Sequence, residues 1–315
     1  MAEFLKIPTP EAREEWLALR KRGIGGSEAA AIIGLNDYSS PYQVWADKMG
    51  FLPEKEDTEA MRIGRDLEAY VAERFAEKTG KKVQRYNYML TSTEYPFACA
   101  NIDRKIVGEK AGLECKVSSA LNLSKYKNGE FPDRFYVQCV HYLAVTGWDR
   151  WFLAVLVLGE GLHVYTIERD EDEIAALMQT ERDFWFNNII AKRPPEIDGS
   201  KATADTVKQL FPTSEPGSSM SLAGFESLLA RRDALRASAK ELEDEVRLIE
   251  TRITAQMGTC EKASCGDWKV SYKTQSRSSF DRKALERDYP NIPYSIYTTS
   301  TESRVLRITG GKSNK

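Results

Sequence analysis

Short apolar stretches with alternating polar positions follow one another between residues 82 and 167. They predict strands over 82–90, 95–106 and 112–117, and a hairpin formed by 151–158 and 162–167. Helices are predicted over 58–79, from Pro132-Asp133 past Val145, and over 170–191. The pattern indicates one large domain that combines helices and strands.

Two of the predicted helices carry a polar residue on an apolar face. In helix 58–79 this residue is Glu68, which shares its face with Val71, Ala72 and Phe75. A buried ionised carboxylate needs a positive partner, so Glu68 is a candidate functional residue. The alternative is a position at the rim of the stripe, paired with Arg62 or Arg65. In the helix that begins near residue 132 the polar residue is Gln138, for which a hydrogen-bonded core amide is the alternative.

Two carboxylates and an ammonium group are expected to converge where two predicted strands meet. Asp103 ends an apolar run, and the next run carries Glu114 and Lys116. Side chains alternate along a strand, so Glu114 and Lys116 lie on one face and Cys115 on the other. Pairing of the runs would add Asp103 to that face. Adjacent carboxylates favour a hard cation such as Mg²⁺, and a lysine beside it could orient an attacking water. This arrangement is what metal-assisted phosphodiester hydrolysis requires; the alternative is a surface hairpin with solvated ion pairs.

A glycine-rich turn suggests an anion site. Gly25, Gly26 and Ser27 precede a predicted short helix that should end at Gly34. Backbone N–H groups at a helix start favour an anion, and Arg20 could bind phosphate oxygens bidentately. The neighbouring Arg22 is the other candidate, and the plain alternative is that Ser27 only caps the helix.

The last third of the chain has a different pattern. Residues 196–220 are rich in Pro, Ser, Thr and Gly, which predicts a linker with a possible short helix over 204–211. Apolar residues then recur with the spacing of a coiled-coil seam or a long helical hairpin: Leu235, Ala239, Leu242, Val246, Ile249 and Ile253. Further strands are predicted over 268–274 and 304–308. The predicted organisation is a core at 1–195, a linker at 196–220 and an α+β appendage at 221–315.

Composition narrows the functional classes. The formal net charge is −2, so a DNA substrate would need a local basic groove. The only two histidines, His141 and His163, leave little room for a histidine-based metal site. Five cysteines show no zinc, iron–sulfur or disulfide spacing, no segment is long and apolar enough to span a membrane, and no signal peptide is expected. A reducing cytoplasm is the expected location.

Five separated motifs together resemble one family. In chain order they are Gly23-Ile24-Gly25-Gly26-Ser27, the helix start from Gly64 to Glu68, Ala100-Asn101-Ile102-Asp103, Leu113-Glu114-Cys115-Lys116, and Gln138 with Tyr142 and Thr146. Over about residues 13–195 the chain resembles the YqaJ-like viral recombinases, the lambda exonuclease-like group of phage-type exonucleases among the PD-(D/E)XK nucleases. The implied fold is a restriction-endonuclease-like core, a mixed β-sheet flanked by helices.

The chain departs from the family pattern in three places. Ile102 stands where the motif's name has proline, and Val140 replaces a second glutamine. The region after about residue 215 has no counterpart in the shorter, lambda-type members. These departures leave the metal-site residues themselves intact.

The resemblance implies a role for each candidate residue. Asp103 and Glu114 would be direct metal ligands, with the backbone carbonyl of Cys115 as a third. Lys116 would position the nucleophilic water, and Glu68 would hold a metal-bound water.

Two further sites follow from the resemblance. Gln138 would border the metal site and fix either Lys116 or the DNA strand. Arg20 and Ser27, with the Gly26 backbone, would bind the terminal 5′-phosphate.

The activity implied by the resemblance is that of a Mg²⁺-dependent exonuclease, with Mn²⁺ as a substitute. It would enter at double-stranded DNA ends, degrade one strand 5′ to 3′, release 5′-mononucleotides and leave a 3′ single-strand tail. A single-strand annealing recombinase, a homo-oligomeric ring trimer and the cytoplasm of a bacterial host are also implied.

Two alternatives stay open. One is a RecB- or Cas4-like nuclease that acts on single strands or cuts internally, although the cysteine placement does not match a Cas4-type iron–sulfur cluster. The other is a non-catalytic DNA-end binding module, against which the intact Asp103, Glu114 and Lys116 argue.

Overall fold

The computed structural model describes residues 4–10, 12–54, 57–301 and 303–309. The chain divides into two compact units, with the boundary between Phe211 and Pro212. The strands of the first unit are β1 (Phe4–Pro8), β2 (Ile24–Gly25), β3 (Val83–Arg85), β4 (Tyr88–Ser92), β5 (Ala98–Asn101), β6 (Arg104–Ile106), β7 (Ala111–Ser118), β8 (Arg150–Val157) and β9 (Gly161–Glu168). Its α-helices are α1 (Arg13–Arg20), α2 (Gly26–Ile32), α3 (Pro41–Lys48), α4 (Glu59–Thr79), α5 (Asp133–Thr146), α6 (Glu171–Phe184) and α7 (Lys201–Leu210).

A five-stranded mixed sheet forms the centre of the first unit. Its order is β3-β6-β7-β8-β9, and all neighbours are antiparallel except β7 and β8. The parallel pair needs a crossover, which α5 supplies. A second, four-stranded sheet has the order β1-β4-β5-β2. The expected α/β class, a mixed sheet flanked by helices, is confirmed.

Helices cover both faces of the five-stranded sheet. Along β8, Trp151, Leu153 and Val155 belong to the core cluster that includes the apolar residues of α5. The alternate residues, Phe152 and Ala154, pack in the cluster formed with α4. A strand buried on both faces is apolar without alternation, which explains the unbroken apolar run from residue 151 to 157.

The predicted strand over 95–106 is wrong as one element. It consists of β5 and β6, which belong to different sheets. The chain changes sheets at Ile102 and Asp103, although the residues from 97 to 102 are all apolar except Asn101. Hydrophobic pattern alone does not show where a strand exchanges partners, and here the exchange occurs at a candidate site residue.

The predicted linker contains a folded helix. Ser200 accepts a hydrogen bond from Thr203 N at the start of α7. The Thr203 hydroxyl donates to Ser40 Oγ at 2.8 Å, and Thr203 and Thr206 are buried. Residues 201–210 therefore belong to the first unit.

The second unit is built around one long helix, α8 (Glu226–Met257), followed by the hairpin β10 (Lys262–Cys265) and β11 (Trp268–Ser271) and by α9 (Arg282–Asp288). The expected α+β appendage with a heptad-patterned helix is confirmed, and the helical-hairpin alternative is wrong. The strand predicted over 304–308 is also wrong, because these residues pair with no strand among those described. No described helix could cross a membrane.

Candidate functional site

The three candidate residues of the hairpin converge as expected. β6 pairs antiparallel with β7, so Arg104 lies opposite Leu113 and the preceding Asp103 lies beside the middle of β7. Asp103 Oδ2 accepts a hydrogen bond from Cys115 N at 2.8 Å. Lys116 Nζ lies 2.6 Å from Glu114 Oε1. Backbone pairing and strand alternation thus bring two carboxylates and one ammonium group together.

Glu114 is buried, with 3% of its surface exposed, and its two oxygens differ. Oε1 accepts a hydrogen bond from Gln138 Nε2 at 2.7 Å in addition to its contact with Lys116. Oε2 is buried and has no hydrogen-bond partner among the described residues. A buried, unpartnered carboxylate oxygen is costly, and it marks the place where a positive ligand would be stabilised.

Burial and mutual repulsion shift the acidities of these groups. Burial raises the pKa of Asp103 well above its ordinary value, and the charges of Glu114 and Glu68 raise it further. Burial also raises the pKa of Glu114, while Lys116 opposes the change. Burial alone would lower the pKa of Lys116, but the charges of Glu114 and Asp103 outweigh it and raise that pKa. Lys116 therefore remains a cationic hydrogen-bond donor, and a further cation would offset the burial and repulsion that raise the pKa values of the two carboxyl groups.

Glu68 is present at the site, but with a partner that the sequence did not predict. Its Oε1 lies 2.5 Å from Nη1 of Arg104, which also donates to the backbone carbonyl of Asp103 at 2.7 Å. Arg65, one of the two predicted partners, instead pairs with Asp57. Glu68 is therefore held against the backbone beside Asp103 by Arg104.

The side chains available for a metal are few. Within the described ranges, no group of three or more His, Cys, Asp and Glu residues is arranged to hold a metal ion. Asp103 and Glu114 supply two carboxylates on one face, next to the backbone of Cys115. Magnesium accepts this kind of donor set, because it keeps several waters and needs only one or two carboxylates.

Gln138 is a hydrogen-bond partner of Glu114. Its expected role was to fix Lys116 or the DNA strand, with a hydrogen-bonded core amide as the alternative. In the structure its buried amide nitrogen donates to Glu114 Oε1 at 2.7 Å and to the hydroxyl of Tyr142 at 2.9 Å. Both residues lie on the buried face of α5. Gln138 therefore holds the carboxylate rather than the lysine.

The glycine-rich turn brings Arg20 and Ser27 together. Arg20 Nη2 donates to Ser27 Oγ at 3.1 Å, and the guanidinium lies over the Trp16 ring at 4.8 Å. Arg22 instead lines a separate cleft beside Tyr95. Helix α2 begins at Gly26 and its N-cap residue is Gly25, so Ser27 is not the cap. Glu28 Oε2 accepts a hydrogen bond from Gly25 N at 2.8 Å.

A buried lysine fixes the backbone of this turn. Lys48 Nζ donates to the carbonyl of Gly23 at 2.6 Å and of Arg20 at 3.2 Å, and it lies 2.8 Å from Glu28 Oε2. The ammonium group therefore has three acceptors, which satisfy its three N–H groups. Nothing in the sequence near residue 48 indicates these contacts, because its partners lie 20 to 28 residues away.

Gly26 connects the turn to the carboxylate site. A Cβ atom at this position would lie 2.6 Å from the Tyr142 ring and 3.1 Å from Gln138 Cγ. Because Gln138 binds Glu114, the Arg20–Ser27 pair lies close to the converging carboxylates. Only glycine allows α2 to approach α5 this closely.

We expect Gly26→Ala to destabilise the protein by about 1–3 kcal/mol, because the added methyl group forces Tyr142 or Gln138 to shift. Gly64→Ala is the matched control: it lies in α4, and a Cβ there meets nothing within 4 Å. The control should raise stability by about 0.5–1 kcal/mol. Denaturant unfolding measures both, and equal behaviour of the two variants would contradict the close packing.

Comparisons with known proteins agree with these features. Residues 15–149 match the family model of the YqaJ-like viral recombinase domain. Over 295 residues, the chain is 35% identical to the uncharacterized protein YqaJ of Bacillus subtilis (strain 168), covering 92% of both chains. Because 295 residues exceed the length of the first unit, this similarity extends into the second.

Two solved structures are similar in part. LHK-Exo in complex with dAMP has a TM-score of 0.48 and 18% identity, over 57% of this chain and 93% of that one. A phage related exonuclease from Haemophilus somnus 129PT has a TM-score of 0.41 and 12% identity, over 56% and 99%. The extent and level of identity to the Bacillus relative, together with the domain match, show that this chain belongs to the YqaJ-like viral recombinase family.

Proposed function

We propose that this chain is a Mg²⁺-dependent exonuclease that degrades one strand of linear double-stranded DNA from its 5′ end. The observation that carries the proposal is the convergence of Asp103, Glu114 and Lys116, with a buried Glu114 oxygen that has no partner within the described residues. The family membership supports the same class of activity.

The donor set fits magnesium. Asp103, Glu114 and the backbone carbonyl of Cys115 would hold the ion, and Glu68, kept in place by Arg104, would hold one of its waters. The bound ion would supply Lewis-acid stabilisation of the charge that develops on the scissile phosphate. Mn²⁺ prefers similar oxygen ligands and should substitute.

Lys116 and Gln138 have distinct tasks in this proposal. The Lys116 ammonium, which stays protonated, would donate to the attacking water and orient it toward phosphorus. Gln138 would keep Glu114 in its rotamer by donating to Oε1, and the buried hydroxyl of Tyr142 accepts from the same amide. Burial strongly raises the pKa of Tyr142, so this hydroxyl stays neutral.

The terminal 5′-phosphate would bind at Arg20, Ser27 and the backbone of Gly26. Helix α2 has only seven residues, so the guanidinium and the hydroxyl, rather than a helix dipole, would supply most of the affinity. A DNA 5′ end bound here would lie near Glu114, because Gly26 packs against Gln138 and Gln138 donates to Glu114. This placement would favour cleavage near the 5′ end, and the family resemblance implies release of 5′-mononucleotides and a 3′ single-strand tail.

An assay with end-labelled DNA tests the proposed function. With Mg²⁺, linear duplex should lose a 5′ label at once as mononucleotide, while a 3′ label stays in a shortening strand. Covalently closed circles should survive, and chelation of the metal should stop digestion. Cutting of closed circles, or preference for single strands, would favour the RecB- or Cas4-like alternative, and binding without digestion would favour an end-binding module.

Removing the 5′-phosphate from the substrate should lower kcat/KM by about 10-fold or more, the value of a charge-assisted hydrogen-bonded contact. In Arg20→Ala this difference should disappear, whereas Arg22→Ala, its neighbour in the separate cleft, should retain it. Kinetics on matched 5′-phosphate and 5′-hydroxyl duplexes measure both effects. Loss of the difference in Arg22→Ala alone would place the pocket elsewhere.

The wider context is part of the same proposal and rests on the family. A single-strand annealing recombinase is the proposed partner, because it would use the 3′ tail. A ring trimer of this chain would keep the enzyme on its DNA. The bacterial cytoplasm is the proposed location, consistent with all five cysteines being free thiols. Sedimentation of the whole protein and co-purification with the annealing protein test the first two.

A further inference from the structure

The long helix of the second unit has an apolar stripe that is open to solvent. Helix α8 contains 32 residues and is about 48 Å long. The large apolar residues of its stripe are between 40% and 64% exposed: Leu228, Leu235, Leu242, Val246, Ile249 and Ile253. A contiguous exposed apolar stripe of this kind marks an interaction surface.

The spacing of the stripe identifies the kind of partner. With Leu235 at position d of a heptad, Leu242 and Ile249 also fall at d, and Val246 and Ile253 fall at a. This is the seam that packs knobs into holes against another helix with the same repeat. The partner surface is therefore a second long heptad helix, and a copy of α8 supplies one.

Charges beside the seam set the orientation of such a pair. In a parallel pair, each g residue faces the e residue five positions later in the other copy. This would place Arg231 beside Arg236 and Glu245 beside Glu250, each contact occurring twice. Four like-charged contacts therefore disfavour the parallel arrangement.

The antiparallel arrangement has a better balance of charge. When Leu242 of one copy packs against Val246 of the other, Arg236 lies beside Glu250, twice. Like-charged contacts remain only at the centre, where Glu243 and Glu245 each meet their own copy. The N-terminal half of α8 is slightly basic and its C-terminal half is acidic. Reversal therefore removes the Arg231–Arg236 and Glu245–Glu250 contacts and adds two contacts of opposite charge.

We propose that α8 binds α8 of a second copy of this chain as an antiparallel two-helix coiled coil. Leu242 packs against Val246, Ala239 against Ile249 and Leu235 against Ile253, giving six apolar layers by symmetry. The seam thus joins two chains through their second units.

Disulfide trapping tests both partner and orientation in the full chain, with the exposed Cys260 and Cys265 replaced by serine in every arm. Leu235→Cys and Ile253→Cys proteins, oxidised as a mixture, should form a linked heterodimer in at least tenfold excess over either protein alone. Linkage of Leu235→Cys with itself would show a parallel pair. No linkage in any arm would show that α8 does not pair with a second copy of itself. Either result would overturn the proposal.

The solution mass gives a second, independent test. Leu242→Glu combined with Ile249→Glu should reduce the sedimentation-equilibrium mass of the full chain at least twofold. The matched control is Leu248→Glu, an equally exposed leucine of α8 that lies outside the seam, and it should leave the mass unchanged. Equal masses for the unsubstituted chain and the double variant, or loss of association in the control alone, would contradict the seam.

Discussion

Lys116→Ala and Asp103→Ala should each lower the rate of Mg²⁺-dependent digestion of linear duplex by about 10³-fold or more. Asp103 is proposed as a direct metal ligand, and Lys116 as the donor that orients the nucleophile. Neither residue belongs to the Arg20–Ser27 pair, so binding to a 5′-phosphorylated end should persist. Initial rates from mononucleotide release, with end binding followed by fluorescence anisotropy, measure the two effects separately.

Lys201→Ala is the control for this prediction, because Lys201 is an exposed lysine on α7 paired only with Asp205 among the described residues. Its digestion rate should stay within about twofold of the unsubstituted protein, as expected for an exposed ion pair of little energetic value. Normal digestion by both Lys116→Ala and Asp103→Ala would mean that the catalytic site lies elsewhere.

Glu181→Leu should destabilise the fold by about 3–5 kcal/mol, the usual cost of breaking a buried charge pair. Glu181 and His141 are fully buried, with Nδ1 and Oε1 2.8 Å apart, and His141 Nε2 donates to the carbonyl of Cys99 at 2.9 Å. Burial raises the pKa of Glu181, although His141 opposes it. The charge of Glu181 raises the pKa of His141 against the effect of burial. One proton between Nδ1 and Oε1 would satisfy both atoms, so removal of either side chain leaves the other buried without its partner.

Denaturant unfolding measures this loss, with Asp183→Ala on the same helix as control. Asp183 is exposed and accepts only from Gln179 among the described residues, so its loss should change stability by less than about 0.5 kcal/mol. Replacing both partners, as Glu181→Leu with His141→Phe, should recover part of the stability, since the carboxylate and the imidazole are removed together and only the Cys99 carbonyl loses a donor. A loss in Glu181→Leu no larger than in Asp183→Ala would contradict the buried pair.

Local chemistry made much of the architecture predictable. Helix α4 begins after the N-cap Thr58 and ends at the left-handed C-cap Gly80, as its sequence predicts. Strand alternation predicts that Glu114 and Lys116 lie on one face, and their side chains are in contact there. The heptad spacing predicted the long helix α8. In each case the residues that predict the structure lie in the same helix or strand as the feature they predict.

Contacts between distant parts of the chain were not predictable in this way. The partner of Glu68 is Arg104, 36 residues later, and Lys48 reaches back to a turn more than 20 residues before it. The exchange of sheets at Asp103 depends on which strands lie beside it, a property of the whole fold. Three-dimensional packing determines the Glu68–Arg104 pair, the Lys48 contacts and the exchange of sheets. The hydrophobic pattern of a single segment does not predict them.

Binding of Mn²⁺ in the absence of DNA tests the central claim most directly, because it does not depend on substrate, polarity or partner. Calorimetric titration of the unsubstituted protein should show binding that is lost in Asp103→Asn and in Glu114→Gln. Glu109→Gln should retain it, since Glu109 lies in the turn between β6 and β7 and pairs with Lys81. Equal binding by all four proteins, or none by the unsubstituted one, would contradict a divalent-cation site at Asp103 and Glu114.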